Sequence, residues 1–166
     1  TSTLPKTLQG RIPNLDYKTI RYKGHCAQMR LLHELGLTDS KPVEFPDGKV
    51  SPRQMLAHRM NDALALPGED VVLVLCEAEG WDDKGEAVRR SVRIIDRHDR
   101  ENDISAMMRM TGYPAAIIAW MLASGEISAP GAKCQELVVP GDRMISELRR
   151  RGVDIEEFTS QPGDPA

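Results

Sequence analysis

Two consecutive segments with different polarity patterns set the strongest limit on how this chain can fold. Residues 71–78 form an almost continuous apolar strand, residues 80–85 a loop, and residues 87–97 a second, alternating strand. One face of the second strand is apolar, with Val88, Val92 and Ile94, and the opposite face is basic, with Arg89, Arg93 and Arg97. Glu77 and Glu79 are expected opposite those arginines. A hairpin with one water-facing side belongs to an antiparallel or mixed sheet.

Helix signals lie on both sides of this hairpin. Ser51-Pro52-Arg53-Gln54 is a capping box with proline at the first helical position, and it predicts a helix to about Leu66, ended by Pro67-Gly68. We therefore expect an α+β fold, a mixed, largely antiparallel sheet with helices packed on one face. Four further elements are predicted: a strand at Asp16–Tyr22, a helix from Cys26 to Leu35 capped by Gly36, a helix at Asp142–Arg151 capped by Gly152, and a strand at Val153–Phe158.

The most apolar segment, residues 104–124, predicts a helix buried on most sides and ended by Gly125. Pro114 lies inside it and removes one backbone hydrogen bond, so a kink is expected near Thr111-Gly112. The longest uncharged run, Met110 to Gly125, has 16 residues, whereas a membrane-spanning helix needs about 20. We therefore expect no membrane association.

The charge and cysteine content limit the partners and the compartment. Lys and Arg total 22 against 25 for Asp and Glu, and aromatic residues make up 4%, so neither the basic excess nor the stacking aromatics of a nucleic-acid surface are present. The run Arg149–Arg151 is interpreted as the basic last turn of a helix. Cys26, Cys76 and Cys134 form no C-x-x-C pair, and we expect buried free thiols in the reducing cytoplasm.

Motifs for nucleotides and metals are missing from the sequence. No two glycines are separated by a single residue, which excludes the G-x-G-x-x-G loop, and Gly85 is followed by Glu86 where a phosphate-binding loop requires lysine. No two histidines have the i, i+4 spacing of a zinc site. A polar cluster that could hold a cation is more simply a solvated loop; it comprises Asp96, His98, Asp99 and Asp103.

Two segments combine polar side chains with unusual backbone features. In residues 19–25 a predicted strand brings Arg21 and His25 to the turn before a helix. In residues 105–114 a polar stretch leads into the proline-containing helix. Each has a structural explanation as well as a functional one, since Arg21 could pair within a sheet and Ser105 could cap a helix.

These two segments carry a resemblance to a known family. Ser2-Thr3-Leu4-Pro5, residues 18–25 and residues 105–117 resemble the carboxyl-terminal domain of saccharopine dehydrogenases and lysine dehydrogenases. The second run is specific, a serine-alanine-methionine sequence that ends in threonine-glycine-tyrosine-proline-alanine-alanine. The chain departs from the family pattern at Lys23, Met108, Met110 and Cys134-Gln135.

The resemblance implies a two-part dehydrogenase in which a Rossmann domain binds NAD or NADP and a second domain closes over an amino-acid substrate and forms a homodimer. Residues 1–158 would be the later part of that second domain, with residues 159–166 a disordered tail. Because the chain starts without methionine and has no dinucleotide loop, we expect it to be cut from a longer protein, to hold no cofactor itself and to be inactive alone.

The resemblance also implies substrate-binding residues. Arg21 would clamp the substrate carboxylate, because its fork matches a carboxylate bidentately. Ser105 and Thr111 would donate hydroxyl hydrogen bonds, Arg109 would be a second cation or a structural partner, and Tyr22 and His25 would join the site. The alternative is a non-catalytic binding or oligomerisation module, in which five methionines could line an adaptable surface instead of packing in the core: Met107, Met108, Met110, Met121 and Met144.

Overall fold

The computed structural model describes residues 2–65 and 68–163, which form two compact units. We call residues 1–17 and 69–166 the sheet unit, and residues 18–68 the hairpin unit. Helices and antiparallel strands are both present, which confirms the predicted α+β class. In chain order they are α1 (Leu4–Thr7), α2 (His25–Glu34), β1 (Val43–Phe45), β2 (Gly48–Val50), α3 (Pro52–Leu64), β3 (Val71–Trp81), β4 (Ala87–Arg97), α4 (Ala106–Ala123), α5 (Gln135–Val138), α6 (Gly141–Arg150) and β5 (Ile155–Ser160).

The sheet unit is built on a three-stranded antiparallel sheet in the order β3-β4-β5. Val74, Ile94 and Ile155 lie opposite one another across the strands, on the face that packs against the helices. The buried core combines this face with residues from α4, α6 and the loops that follow them: Ile94, Ile117, Met121, Ile127, Leu148, Val153 and Ile155.

The hairpin between β3 and β4 is tighter than predicted. β3 continues to Trp81, beyond the predicted end at Ala78. The Asp82 carboxylate accepts hydrogen bonds from the Lys84 and Glu86 amides, both at 2.9 Å, so the turn begins only at that residue. The predicted pairing across the hairpin is confirmed for Arg89, which bonds Glu77 and lies 3.8 Å from Glu79.

The long helix α4 continues unbroken through Pro114, and the kink near Thr111-Gly112 stays a prediction. Its buried side chains recur at helical spacing, with Ala106, Ile117 and Met121 fully buried. Gly125 follows it with φ +77°, the left-handed conformation predicted for its cap.

The hairpin unit contains the two predicted helices α2 and α3. Ser51 Oγ accepts a hydrogen bond from the Gln54 amide at 3.4 Å, which confirms the predicted cap. α3 ends at Leu64, and the predicted stop at Leu66 and Pro67 lies outside the described residues. Sequence reasoning missed the small β1–β2 hairpin, whose strands have three residues each. None of the described residues of this unit is buried.

Four predictions about local structure were wrong, in whole or in part. Residues 16–22 form no strand, because β-prone side chains need a partner strand and a face to bury, and Tyr17, Ile20 and Tyr22 are instead exposed. β5 begins at Ile155 and ends at Ser160, later than predicted. Of the tail predicted to be disordered, residues 159–160 belong to β5 and residues 164–166 lie outside the described residues. The cysteines are free thiols but not buried, since Cys26 and Cys76 are exposed and Cys134 is half-buried.

Within residues 2–65 and 68–163, we find no helix with the length and apolar character needed to cross a bilayer.

Candidate functional site

A tight turn leads from β4 into α4. Asp99 and Ile104 exchange two backbone hydrogen bonds, at 2.8 and 3.1 Å, and Asp103 between them has φ +52°, a left-handed conformation that aspartate tolerates better than most residues. The Asp99 carboxylate accepts hydrogen bonds from the Glu101 and Asn102 amides and from the Asn102 side chain. The Asn102 side chain first, and then these amides, hold the pKa of Asp99 below its usual value.

The first turn of α4 is satisfied by side chains of the chain itself. Ser105 Oγ accepts a hydrogen bond from the Met108 amide at 3.0 Å, so the cap suggested by the sequence is confirmed. The two preceding amides, of Ala106 and Met107, donate to the Asp70 carboxylate at 2.6 and 2.8 Å. A carboxylate therefore already lies at the positive end of the helix.

Asp70 was missed by sequence reasoning. It precedes β3 and lies 36 residues before the amide of Ala106 that it binds, so no local motif identifies it. The Met107 amide contributes most to lowering the pKa of Asp70, with smaller contributions from Ala106 and His98, and these outweigh the opposing effect of desolvation. Asp70 is thus held ionised as the anion that caps α4.

Arg109 lies one turn further along α4 and is buried. Its Nε and Nη2 donate to the two oxygens of Asp96 at 3.0 and 3.3 Å, its Nη1 donates to Asp99 at 3.1 Å, and Nη2 also donates to the Gly152 carbonyl at 3.1 Å. The guanidinium carbon lies 5.5 Å from the centre of the Tyr113 ring. Four of the five guanidinium N–H groups are engaged.

The charge balance at Arg109 favours a permanent ion pair. Burial disfavours the charged guanidinium, but the hydrogen bond and charge of Asp96, together with Tyr113 and Asp99, outweigh it and raise the pKa of Arg109. Of the two roles considered for Arg109, this geometry fits the structural partner. A contact between Arg109 and substrate stays a prediction.

The polar cluster considered as a cation site is organised around this arginine. Asp96 and Asp99 bind its guanidinium, while His98 Nε2 lies 3.1 Å from the Asp103 carboxylate. The cation between the buried Asp96 and the half-buried Asp99 is therefore Arg109 itself. Over the described parts of the chain, no group of three or more His, Cys, Asp or Glu side chains is placed to hold a metal ion.

Buried charge also occurs on α6, where no sequence motif predicted it. Glu147 is 2% exposed and pairs with three arginines, Arg143, Arg150 and Arg151, at 2.6–2.9 Å. The hydrogen bond from Arg151 is the largest cause of its lowered pKa. Two of the three arginines in the basic run 149–151 are thus paired with one acid, and the run lies at the end of α6 as predicted.

Thr111 lies further along α4 and is exposed, and its hydroxyl is 3.7 Å from the sulfur of Met107. Met107 and Met108 are exposed on the same first turns, with 61% and 65% of their surface accessible. Met121 is buried and Met110 and Met144 pack against the core, so core packing holds for these three methionines.

The other predicted site residues belong to the hairpin unit. Arg21 and Tyr22 are exposed, and His25 is the first residue of α2, where its amide donates to the Tyr22 carbonyl at 3.1 Å. Gly24 makes this entry possible with φ +90°. The predicted residues therefore fall in two sets, one at the entry to α2 and the other in residues 105–111 at the start of α4 (Ser105, Arg109 and Thr111).

Comparison with protein families identifies the family of this chain. The model of the saccharopine dehydrogenase C-terminal domain matches residues 3–153, which is most of the chain. Both sets of predicted site residues lie within the matched region. The chain belongs to the saccharopine dehydrogenase C-terminal domain family, and this confirms the resemblance found in residues 18–25 and 105–117.

Proposed function

We propose that this chain is the substrate-binding and dimerisation part of an NAD(P)-dependent dehydrogenase that acts on the amine-bearing carbon of lysine, saccharopine or a related amino acid. Membership of the family supports an oxidoreductase role. NAD or NADP would be bound by a Rossmann domain outside residues 1–166 and would exchange the hydride, while this chain binds and orients the amino acid. We place the enzyme in the cytoplasm, where its free thiols stay reduced.

The observation that carries the proposal is the contrast between two arginines. Four hydrogen bonds to Asp96, Asp99 and Gly152 occupy the Arg109 guanidinium. Arg21 is exposed, and among the described residues no hydrogen bond or ion pair engages its side chain. Arg21 therefore has the donors that a bidentate carboxylate clamp requires.

The amino-terminal end of α4 limits which groups can bind the carboxylate of a substrate. The amides that would attract an anion at the start of this helix are already bonded to Asp70 and Ser105. A substrate carboxylate placed there would be repelled by the charge of Asp70, which supports a side-chain cation as its partner. The Ser105 hydroxyl accepts one hydrogen bond in the cap and keeps its own proton, which it can donate to substrate.

The test is Arg21→Lys in the full-length enzyme. A point charge would replace a planar fork, and the loss of about 1.5–3 kcal/mol expected for a hydrogen bond to a charged group corresponds to a fall in kcat/KM for the amino acid of roughly 10- to 150-fold. The affinity for NAD(P) and the melting temperature should hardly change, because Arg21 is exposed.

Arg30→Lys is the matched control, since Arg30 is an exposed arginine on the neighbouring helix α2. It should leave kcat/KM unaltered. Unchanged kinetics in Arg21→Lys together with a lowered melting temperature would assign Arg21 a structural role and refute the clamp.

A further inference from the structure

A small pocket lies in the sheet unit beside the second half of α4. It has a volume of about 140 Å³ and is enclosed by α4, the loop that follows this helix, and α5 with its last residue. Its apolar wall is formed by five aliphatic side chains: Ile118, Leu122, Ile127, Val138 and Val139. Neither set of predicted site residues lines this pocket, so it is a second candidate site.

The volume and the lining of the pocket limit the ligands that it can hold. An apolar cavity of about 150 Å³ is large enough for a molecule of benzene, so this pocket suits an apolar group of about six carbon atoms. Ile127 belongs to the buried core, and Val138 and Val139 pack against that core. Because core packing fixes these side chains, the pocket is formed before a ligand binds.

The polar side chains of the pocket favour an anionic ligand. Lys133 and Gln135 complete the lining, and both residues are exposed. Among the described residues, no hydrogen bond or ion pair engages the Lys133 ammonium or the Gln135 side-chain amide. The pocket therefore combines an aliphatic wall with one cation and one amide whose donors are available.

The acidic residues next to the pocket in the sequence do not neutralise Lys133. Glu126 accepts a hydrogen bond from Arg143 at 3.0 Å, and Glu136 accepts one from the Thr7 hydroxyl at 2.8 Å. No acidic side chain of the described residues lines the pocket. An anion can therefore pair with Lys133 without displacing an acid of the chain.

We propose that this pocket binds a small monocarboxylate whose apolar body has about six carbon atoms. The body lies against the aliphatic wall, and the carboxylate accepts hydrogen bonds from the Lys133 ammonium and the Gln135 amide. An amino acid of the same size fits less well, because Lys133 repels its ammonium group and no acid of the lining pairs with it. The pocket thus selects a different chemical class from the amino-acid substrate proposed above.

The test is a titration of the 166-residue chain with hexanoate, followed by the chemical shifts of its backbone amides. Hexanoate should bind saturably and shift amides within residues 118–139, which contain the whole lining. Butanoate should bind roughly 15-fold more weakly, because each of the two missing methylenes contributes about fourfold to the affinity when buried. Norleucine, which adds an ammonium group to hexanoate, should also bind more weakly.

Two variants test the cation and the wall separately. Lys133→Gln should weaken hexanoate binding about tenfold or more, because a neutral donor replaces a charged one. Leu122→Glu adds a negative charge to the wall at a 52% exposed position, so it should weaken binding as strongly and keep the wild-type circular dichroism.

Each variant has a matched control outside the lining. Lys84→Gln replaces an exposed lysine in the β3–β4 turn, and Leu137→Glu replaces a 61% exposed leucine on α5. Both controls should bind hexanoate like the wild type.

The results distinguish a shaped pocket from a lysine that attracts any anion. Equal affinities for hexanoate and butanoate would overturn the proposal, as would amide shifts confined to residues outside 118–139 or no binding at millimolar concentration. Unchanged binding in both Lys133→Gln and Leu122→Glu would overturn it as well. The Arg21 kinetics test the proposed function independently, because Arg21 does not line this pocket.

Discussion

Substituting Arg109 distinguishes a structural role of this residue from a role in substrate binding. Replacing it by alanine would leave Asp96, whose side chain is 5% exposed, as a buried carboxylate without its two hydrogen bonds from the guanidinium. It would also remove the donor to the Gly152 carbonyl, which joins α4 to the turn after α6. Breaking one side of a buried ion pair typically costs 3–5 kcal/mol, because an uncompensated charge stays in the interior.

We expect a loss near the lower end of that range, about 3 kcal/mol, because Asp99 keeps its bonds to the Glu101 and Asn102 amides when the arginine is gone. For a domain of this size such a loss lowers the melting temperature by roughly 6–12 °C. The assay is urea and thermal unfolding of the 166-residue chain, followed by circular dichroism.

Two variants serve as controls for Arg109→Ala. Arg100→Ala removes an arginine from the same turn, but its pair with Glu69 is exposed and screened by solvent, so stability should be nearly unchanged. Combining Arg109→Met with Asp96→Val removes both charges and should recover most of the loss. If Arg109→Ala lowers the free energy of unfolding by less than about 1 kcal/mol, the buried ion pair does not stabilise the fold, and substrate binding becomes the better explanation of Arg109.

Two further predictions concern acid stability and the cofactor. Because the pKa of Asp70 is lowered in the folded protein, its contribution to stability is present above the ordinary aspartate pKa and is lost as the pH falls through the folded value. Asp70→Asn should therefore lower the melting temperature at pH 7 and make the decrease of melting temperature below about pH 4 less steep. Parallel pH profiles of wild type and variant would contradict this. The isolated chain should bind neither NAD nor NADP at micromolar concentration, since it lacks the dinucleotide loop, and stoichiometric binding by calorimetry would contradict the two-part enzyme.

Much of the fold follows from signals only a few residues long. Ser51 and Ser105 each bond an amide three residues on, and both caps could be recognised from the sequence. Gly125 and Gly152 end helices with positive φ, as expected for glycine after a helix. The β3–β4 hairpin is equally local, because two adjacent strands pair across one short turn.

Features that depend on distant partners were missed or predicted wrongly. Residues 16–22 have the side chains of a strand, but no strand within residues 2–65 and 68–163 pairs with them. Asp70 acts on amides 36 and 37 residues away, and Arg109 reaches a carbonyl 43 residues away. Since local propensity contains no information about such pairings, neither Asp70 nor the partners of Arg109 could be identified from the sequence.

The occupied start of α4 changes the chemistry expected of the family-like run 105–114. The amides at its start donate hydrogen bonds to Asp70, and its one cation, Arg109, forms ion pairs with Asp96 and Asp99. Neither can bind a substrate carboxylate without first breaking a contact that holds the helix in place. What this run can offer a ligand is the hydroxyl protons of Ser105 and Thr111, which can orient a substrate but cannot neutralise it. We therefore expect charge recognition to come from outside α4, and Arg21 is the cation that we propose for it.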